Sequence, residues 1–296
     1  MSNNYDDFLT AAGETDQSAV ESIGNKYPVI QWNNGDQKQR KHGGFDYHGG
    51  FFVKEEDADL SGVNGWEKVE WMHENGKSTD GFYAPELSFS VIRKRQWWEV
   101  MDGNQRNIFS WNDYDKAKAA GSPRGRTQYL VLVKGLEDRG LFMLTLRGMS
   151  AVAFDSRKGA LSKMAGTVIK SANAFLASKK STNKMPFYSF WLRVGYSRNT
   201  KGEPEFQTVG SGTSTSTVCL PMALDFNGDE NMAFEDAQKF FVGRELNAKC
   251  GELRKETEEW ESAVGTFAEG AKADAEPSKT EAAKDAVAEA AAEYGI

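Results

Sequence analysis

The sequence predicts a mainly β fold with helices, an α+β body built as an OB-like five-stranded Greek-key barrel with an inserted helix, a C-terminal helix and a flexible acidic tail. Three observations lead there. Residues 88–100, 127–135 and 140–148 alternate apolar and polar in the manner of half-buried strands. The apolar period then changes to helical spacing between Asp155 and Lys180. Extended patterns return at 185–198 and 215–226, giving the order strand, strand, strand, helix, strand, strand.

Four segments divide the 296 residues. Residues 1–25 are polar, acidic and poor in large apolar groups, and are expected to be weakly ordered. Residues 26–228 form the β-rich body. "NNGD" at 33–36 is a turn signal, and "HGGF" occurs at both 42 and 48 in a glycine-rich stretch. Residues 54–86 read as an acidic loop anchored by Trp66 and Trp71. "LEDRG" between the second and third strands is short enough to make them an antiparallel hairpin. In the inserted helix Leu161, Met164, Ala165, Val168, Ile169, Ala172, Phe175 and Leu176 share a face, with Asp155 or Ser156 as cap. Residues 229–262 read as a helix that breaks at Gly243 and Gly251. Residues 263–296 are rich in Ala, Glu, Lys and Asp with no face to bury, and read as a mobile tail.

Charge is segregated. Residues 1–90 hold 7 Lys or Arg against 16 Asp or Glu, a net −9; residues 91–200 hold 20 against 7, a net +13; residues 201–296 hold 9 against 20, a net −11. A chain of formal charge −7 therefore carries a strongly basic middle. Within it, Arg93, Arg95 and Trp97 alternate onto one strand face together with Phe89 and Val91, while Ile92, Lys94, Gln96 and Trp98 take the other. Phe187, Trp191 and Arg193 repeat that grouping further along. Tyr129 and Arg147 extend the surface, the loop "AAGSPRGRTQ" adds Arg124 and Arg126, and Arg198 adds a further cation. Rings and guanidinium groups in this mixture suit a single-stranded nucleic acid, because bases stack on the rings for about 1–3 kcal/mol each and the cations neutralise phosphates. The same residues also stabilise a bare sheet through cross-strand and cation–π pairs.

A basic OB-like body followed by an acidic tail with a hydrophobic tip resembles the single-stranded DNA-binding proteins of bacteria and phages. That resemblance is one of architecture over residues 87–296, and it implies roles in replication, recombination or repair, with a tail that recruits partners. The positions matching the tip are Glu289, Glu293, Tyr294, Gly295 and Ile296; the Pro-Phe ending of the bacterial family is absent from "AAAEYGI". The alternative is a β-barrel or sandwich assembly module whose basic middle docks on an acidic partner or on the chain's own acidic ends.

Other chemistry has little support in the sequence. His42, His48 and His73 match no metal-ligand spacing, and Cys219 and Cys250 suit neither a disulfide framework nor a zinc ribbon. "GSGTSTST" at 210–217 lacks the Lys-Ser/Thr ending of a P-loop. No nucleophile motif is present, so neither an enzyme nor a cofactor is expected. No basic segment leads into an apolar run at the N-terminus, and no window nears 18 apolar residues, so a cytoplasmic location without membrane partners is the expectation.

Overall fold

The computed structural model describes residues 27–35, 41–42, 45–46, 48–72, 78–103, 105–209, 216–226 and 231–262. The expected acidic N-terminus, the C-terminal tail with its tip residues, His73 and most of "GSGTSTST" lie outside the described residues.

One large sheet dominates. Its order is β14 (Pro221–Ala223), β11 (Leu192–Tyr196), β7 (Glu86–Asp102), β9 (Arg124–Val133), β10 (Leu141–Arg147), β1 (Val29–Asn33), β4 (Gly50–Lys54), β6 (Ser78–Ala84), β5 (Glu67–Met72). A tenth strand, β8 (Gln105–Ser110), pairs with the outer end of β7. Two small ladders stand apart: β2 (Lys41–His42) with β3 (Phe45–Asp46), and β12 (Gln207–Val209) with β13 (Ser216–Val218). The β9–β10 hairpin is antiparallel as expected, whereas β10 meets β1 in parallel.

The sheet-rich α+β class is thus what the chain forms. The sheet has ten strands in an open order and does not display a five-stranded closed barrel. The segment read as an acidic loop over 54–86 instead supplies β5 and β6; Glu70 and Asp80 face each other in their ladder, and the acid content hid the alternation that buries Val69 and Trp71.

The sheet curls until distant strands meet. The rings of Phe51 on β4 and Phe89 on β7 lie 6.2 Å apart, and the Trp32 indole donates to the Cys219 carbonyl at 3.1 Å. Close backbone approach in this half depends on glycine: a Cβ on Gly81 would sit 2.3 Å from the Val53 carbonyl and 2.5 Å from the Phe52 ring. Gly81→Ala is therefore expected to cost about 1–3 kcal/mol through overpacking, read as a lower denaturation midpoint at unchanged slope.

Helices cover both faces. Inside the curl lie α2 (Met149–Asp155), α3 (Ala160–Met164) and α4 (Lys170–Ser178), the last two joined through a π-turn at Ala165–Ile169. Phe154, Leu161, Met164, Val168 and Ala172 from this run fill the main core with Phe89, Tyr129 and Phe142. Asp155 does not cap the inserted helix as expected; it ends α2, and Gly159 precedes α3. A short helix, α1 (Tyr114–Ala120), covers Trp98 and Val100. After α5 (Phe234–Ala237), Gly243 at φ +95° starts α6 (Arg244–Glu256), so the expected break at Gly243 holds, while Gly251 is inside α6. α6 and the five-residue α7 (Glu258–Ser262) lie on the outer face, over Ile92, Leu130, Leu132, Leu141 and Met143.

The expected strand over 185–198 shortens to Leu192–Tyr196, preceded by a 3-10 turn at Phe187–Ser189. Among the described residues no helix is long and apolar enough to cross a membrane.

Candidate nucleic-acid interface

β7 carries the site, and its alternation is interrupted once. Val91 pairs with Val131 and Arg93 with Leu130, leaving Ile92 as an extra, bulged residue. A bulge shifts every later side chain to the opposite face. Leu87, Phe89 and Val91 point into the main core, but beyond Ile92 it is Lys94 and Gln96 that turn inward, both bonding to Asp155. Arg93, Arg95 and Trp97 do share a face as expected, yet it is the outer one, opposite to that of Phe89 and Val91.

Cross-strand register extends this outer face. Arg126 stands opposite Trp97, Arg124 opposite Glu99, Arg106 opposite Met101, and Arg147 opposite Arg126. Directly opposed residues point the same way. Beyond the bulge, six arginines (93, 95, 106, 124, 126, 147) of β7 to β10 therefore share one face with one strand carboxylate, Glu99; Glu86, at the other end of β7, also faces out and pairs with Arg193. The basic middle of the sequence is concentrated here.

Glu99 is buried and clamps two of the arginines. Its Oε1 accepts from Arg126 Nη2 at 3.0 Å and its Oε2 accepts from Arg126 Nε at 3.1 Å, while Arg106 Nη2 forms an ion pair with Oε2 at 3.0 Å. Burial alone would raise the Glu99 pKa, but the hydrogen bonds and charge of Arg126, with Arg106 and Arg147 nearby, hold it below the ordinary carboxylate value. Arg124 and Arg147 are exposed, and neither is joined to a carboxylate by an ion pair among the described residues.

The inner end of the face is occupied by the chain itself. Arg95 is buried, with Nε and Nη2 on Gln128 Oε1 at 2.9 and 2.6 Å. Its guanidinium lies 4.0 Å from the centre of the Trp260 ring on α7, and its Nη1 donates to the Trp260 carbonyl at 3.1 Å. Burial pulls the Arg95 pKa down to about 10. Arg93 pairs with Glu261 at 2.6 Å and donates to the Arg254 carbonyl at 3.0 Å. Arg254 in turn donates to the Ile92 carbonyl at 2.6 Å, so α6 is pinned at the bulge.

Other residues expected at the surface are placed differently. Tyr129 is fully buried against Phe154, ring centres 5.0 Å apart, because it stands opposite Lys94 on the inner face; burial and Asp155 push its hydroxyl pKa well above the ordinary value. It has no surface on which a base could stack. Trp97 and Trp191 are also buried, at 5% and 8% exposure, so neither is an open platform. Lys134 lies 5.9 Å from the Trp191 ring centre. Arg193 pairs with Glu86 at 2.6 Å and Asp225 at 3.2 Å, and Arg198 stacks on Tyr196 at 4.6 Å. Phe187 is exposed at 37% on the 3-10 turn. These four lie away from the arginine cluster of β7 to β10.

Sequence reasoning missed Arg106, Glu99, Trp260 and Glu261. "DG" at 102–103 was a readable hairpin signal for β8 and hence for Arg106. The placement of α7 left no comparable signal.

Of the histidines, His48 bonds through Nδ1 with the Tyr83 hydroxyl at 2.7 Å. Among the described residues no group of three or more His, Cys, Asp or Glu is placed to hold a metal ion. Both cysteines are buried and free. The chain matches no protein-family model, no curated protein and no solved structure.

Proposed function

We propose that the chain binds single-stranded nucleic acid, DNA before RNA, in replication, recombination or repair. One observation carries the reading: six arginines against one strand carboxylate on the part of the sheet face beyond the β7 bulge, in a chain whose net charge is −7. Such a face neutralises a phosphate backbone. Trp97 is the aromatic in register with Arg126 on this face, whereas Trp111, stacked on Trp98 at 4.2 Å, lies on the opposite face.

An OB-like relation belongs to the same reading. Its support is that β7 pairs with β9 on one side and, after the inserted helix, with β11 on the other, as the first strand of such a barrel pairs with the second and fourth. The face of the second and third strands is the one that OB-folds use for oligonucleotides, and here β9 and β10 carry Arg124, Arg126 and Arg147. A tail acting as a partner-recruiting segment remains part of the proposal through residues 263–296, with Glu289, Glu293, Tyr294 and Ile296 at its tip.

A second reading, an assembly module whose basic face docks on an acidic segment, is favoured by one contact: Trp260 and Glu261 of the chain's own C-terminal region already sit on Arg95 and Arg93. Titration of intrinsic tryptophan fluorescence with an unstructured oligothymidylate and with a duplex of equal length separates the two. Quenching that favours the single strand at low salt supports the first reading; no response to either nucleic acid leaves only the second.

A further inference from the structure

We infer that the outer end of the arginine face is a built phosphate site, formed by Arg126 and Arg147 with Arg106, Arg124 and the Trp97 indole. Three independent observations point there. First, Arg126 and Arg147 are directly opposed across the β9–β10 ladder. Like charges in that relation repel, and a fold keeps such a pair when an anion lies between or above them.

Second, the one carboxylate present is already used. Glu99 spends both oxygens on Arg126 and Arg106, which fixes the direction of those two forks and leaves Arg147 and Arg124 without a carboxylate among the described residues. Glu99 is a positioning residue in this arrangement: it lowers the repulsion enough for the cluster to fold while leaving it cationic.

Third, donors are left over. Trp97 Nε1 and Arg106 Nε are buried and have no hydrogen-bond partner. Buried N–H groups are normally paired, and these two lie on the same face as the arginines, Trp97 directly opposite Arg126. Every unsatisfied group in the cluster is a donor and every one of its charges except Glu99 is positive. The missing group is an acceptor with several oxygens and negative charge, and guanidinium forks fit a phosphate in two-point geometry.

Phosphate has two sources, a nucleic-acid backbone or a free phosphate or nucleotide, and the first rests on the function proposed above. The test uses the full chain as wild type, Arg147→Gln, Arg124→Gln and, as a control outside the cluster, Lys116→Gln. Each is titrated with oligothymidylate over a salt series and, separately, with inorganic pyrophosphate followed by thermal unfolding. All three positions are exposed to solvent or held only by a surface ion pair, so the variants retain the fold.

The expected result is that Arg147→Gln and Arg124→Gln each weaken oligothymidylate binding about tenfold and reduce the salt slope by about 0.7, one single-strand phosphate contact, while Lys116→Gln changes neither. If wild type binds the oligonucleotide and both arginine variants bind it equally well with the same slope, the phosphate site is overturned and the function stands. If wild type ignores the oligonucleotide but is stabilised by pyrophosphate in an Arg147-dependent way, the site stands with a free phosphate as ligand and the nucleic-acid function falls. If neither probe binds, both fall.

Discussion

Replacing Tyr129 with alanine is expected to lower the free energy of unfolding by about 3–5 kcal/mol, the range for removing a large aromatic ring from a well-packed core. Tyr129 is fully buried, packs edge-on to Phe154 and lies in the cluster that also contains Phe89, Phe142 and Met164. The neighbouring helix α2 is held at its C-terminal end, by Phe154 in the core and by Asp155 on Lys94 and Gln96, so the cavity cannot collapse cheaply. Tyr129→Phe keeps the ring and is expected to change stability by less than about 1 kcal/mol, since the hydroxyl makes no well-formed hydrogen bond among the described residues and only its approach to Asp155 is lost. Chemical denaturation of both variants measures this. An alanine variant of unchanged stability but weakened oligonucleotide binding would mean that the ring faces a ligand and that the inner-face assignment is wrong.

The second large effect concerns α7. Trp260 lies on the Arg95 guanidinium at 4.0 Å, and Glu261 pairs with Arg93 at 2.6 Å. A flat ring on one cation and an anionic group on the next occupy the places that a base and a phosphate would take. Trp260→Ala removes a cation–π contact of about 0.5–2 kcal/mol that a nucleic acid must otherwise displace, and at 1.4 kcal/mol per tenfold the affinity for oligothymidylate is expected to rise about twofold to thirtyfold. Glu261 is half exposed, so its pair with Arg93 contributes less than a buried pair would, and Glu261→Gln is expected to raise affinity by a smaller factor. Equilibrium titration at fixed low salt reads both. Loss of affinity in Trp260→Ala, with the fold intact, would show that α7 helps to build the site.

How much of this was legible in the sequence depends on what each signal measures. Alternation in "TQYLVLV" and "LFMLTLR" identified the β9–β10 hairpin because a strand with one buried face writes its burial directly into its pattern. Helical spacing after Asp155 identified the inserted helix for the same reason, although the π-turn at Ala165–Ile169 left no mark. The charge segregation located the arginines. What alternation cannot report is a bulge. Ile92 is apolar and buried, so an extra residue there reads as ordinary strand, yet it sends Phe89 and Arg93 to opposite faces.

Long-range placement was equally hidden. Arg95 and Trp97 were read correctly as neighbours on one face, but Arg95 is covered by Trp260 of α7, more than 160 residues along the chain. Trp191 and Arg193 shared a local pattern with Arg95 and Trp97 and invited a single groove. Instead Arg193 is satisfied by Glu86 and Asp225 near β14, while Arg124 and Arg147, which have no carboxylate partner among the described residues, gather at the other end of β9 and β10. Acidic β5 and β6 were missed because carboxylates on the solvent side of an edge ladder mimic loop composition.

The measurement that tests the central claim most directly is the dependence of oligothymidylate affinity on salt for the wild-type chain. If the arginine face neutralises a single strand, the logarithm of the association constant falls linearly with the logarithm of salt concentration, with a slope of about −0.7 per phosphate contacted and hence about −3 when Arg106, Arg124, Arg126 and Arg147 all engage. No binding at low salt, or binding whose strength is indifferent to salt, would contradict a backbone-neutralising role for this face.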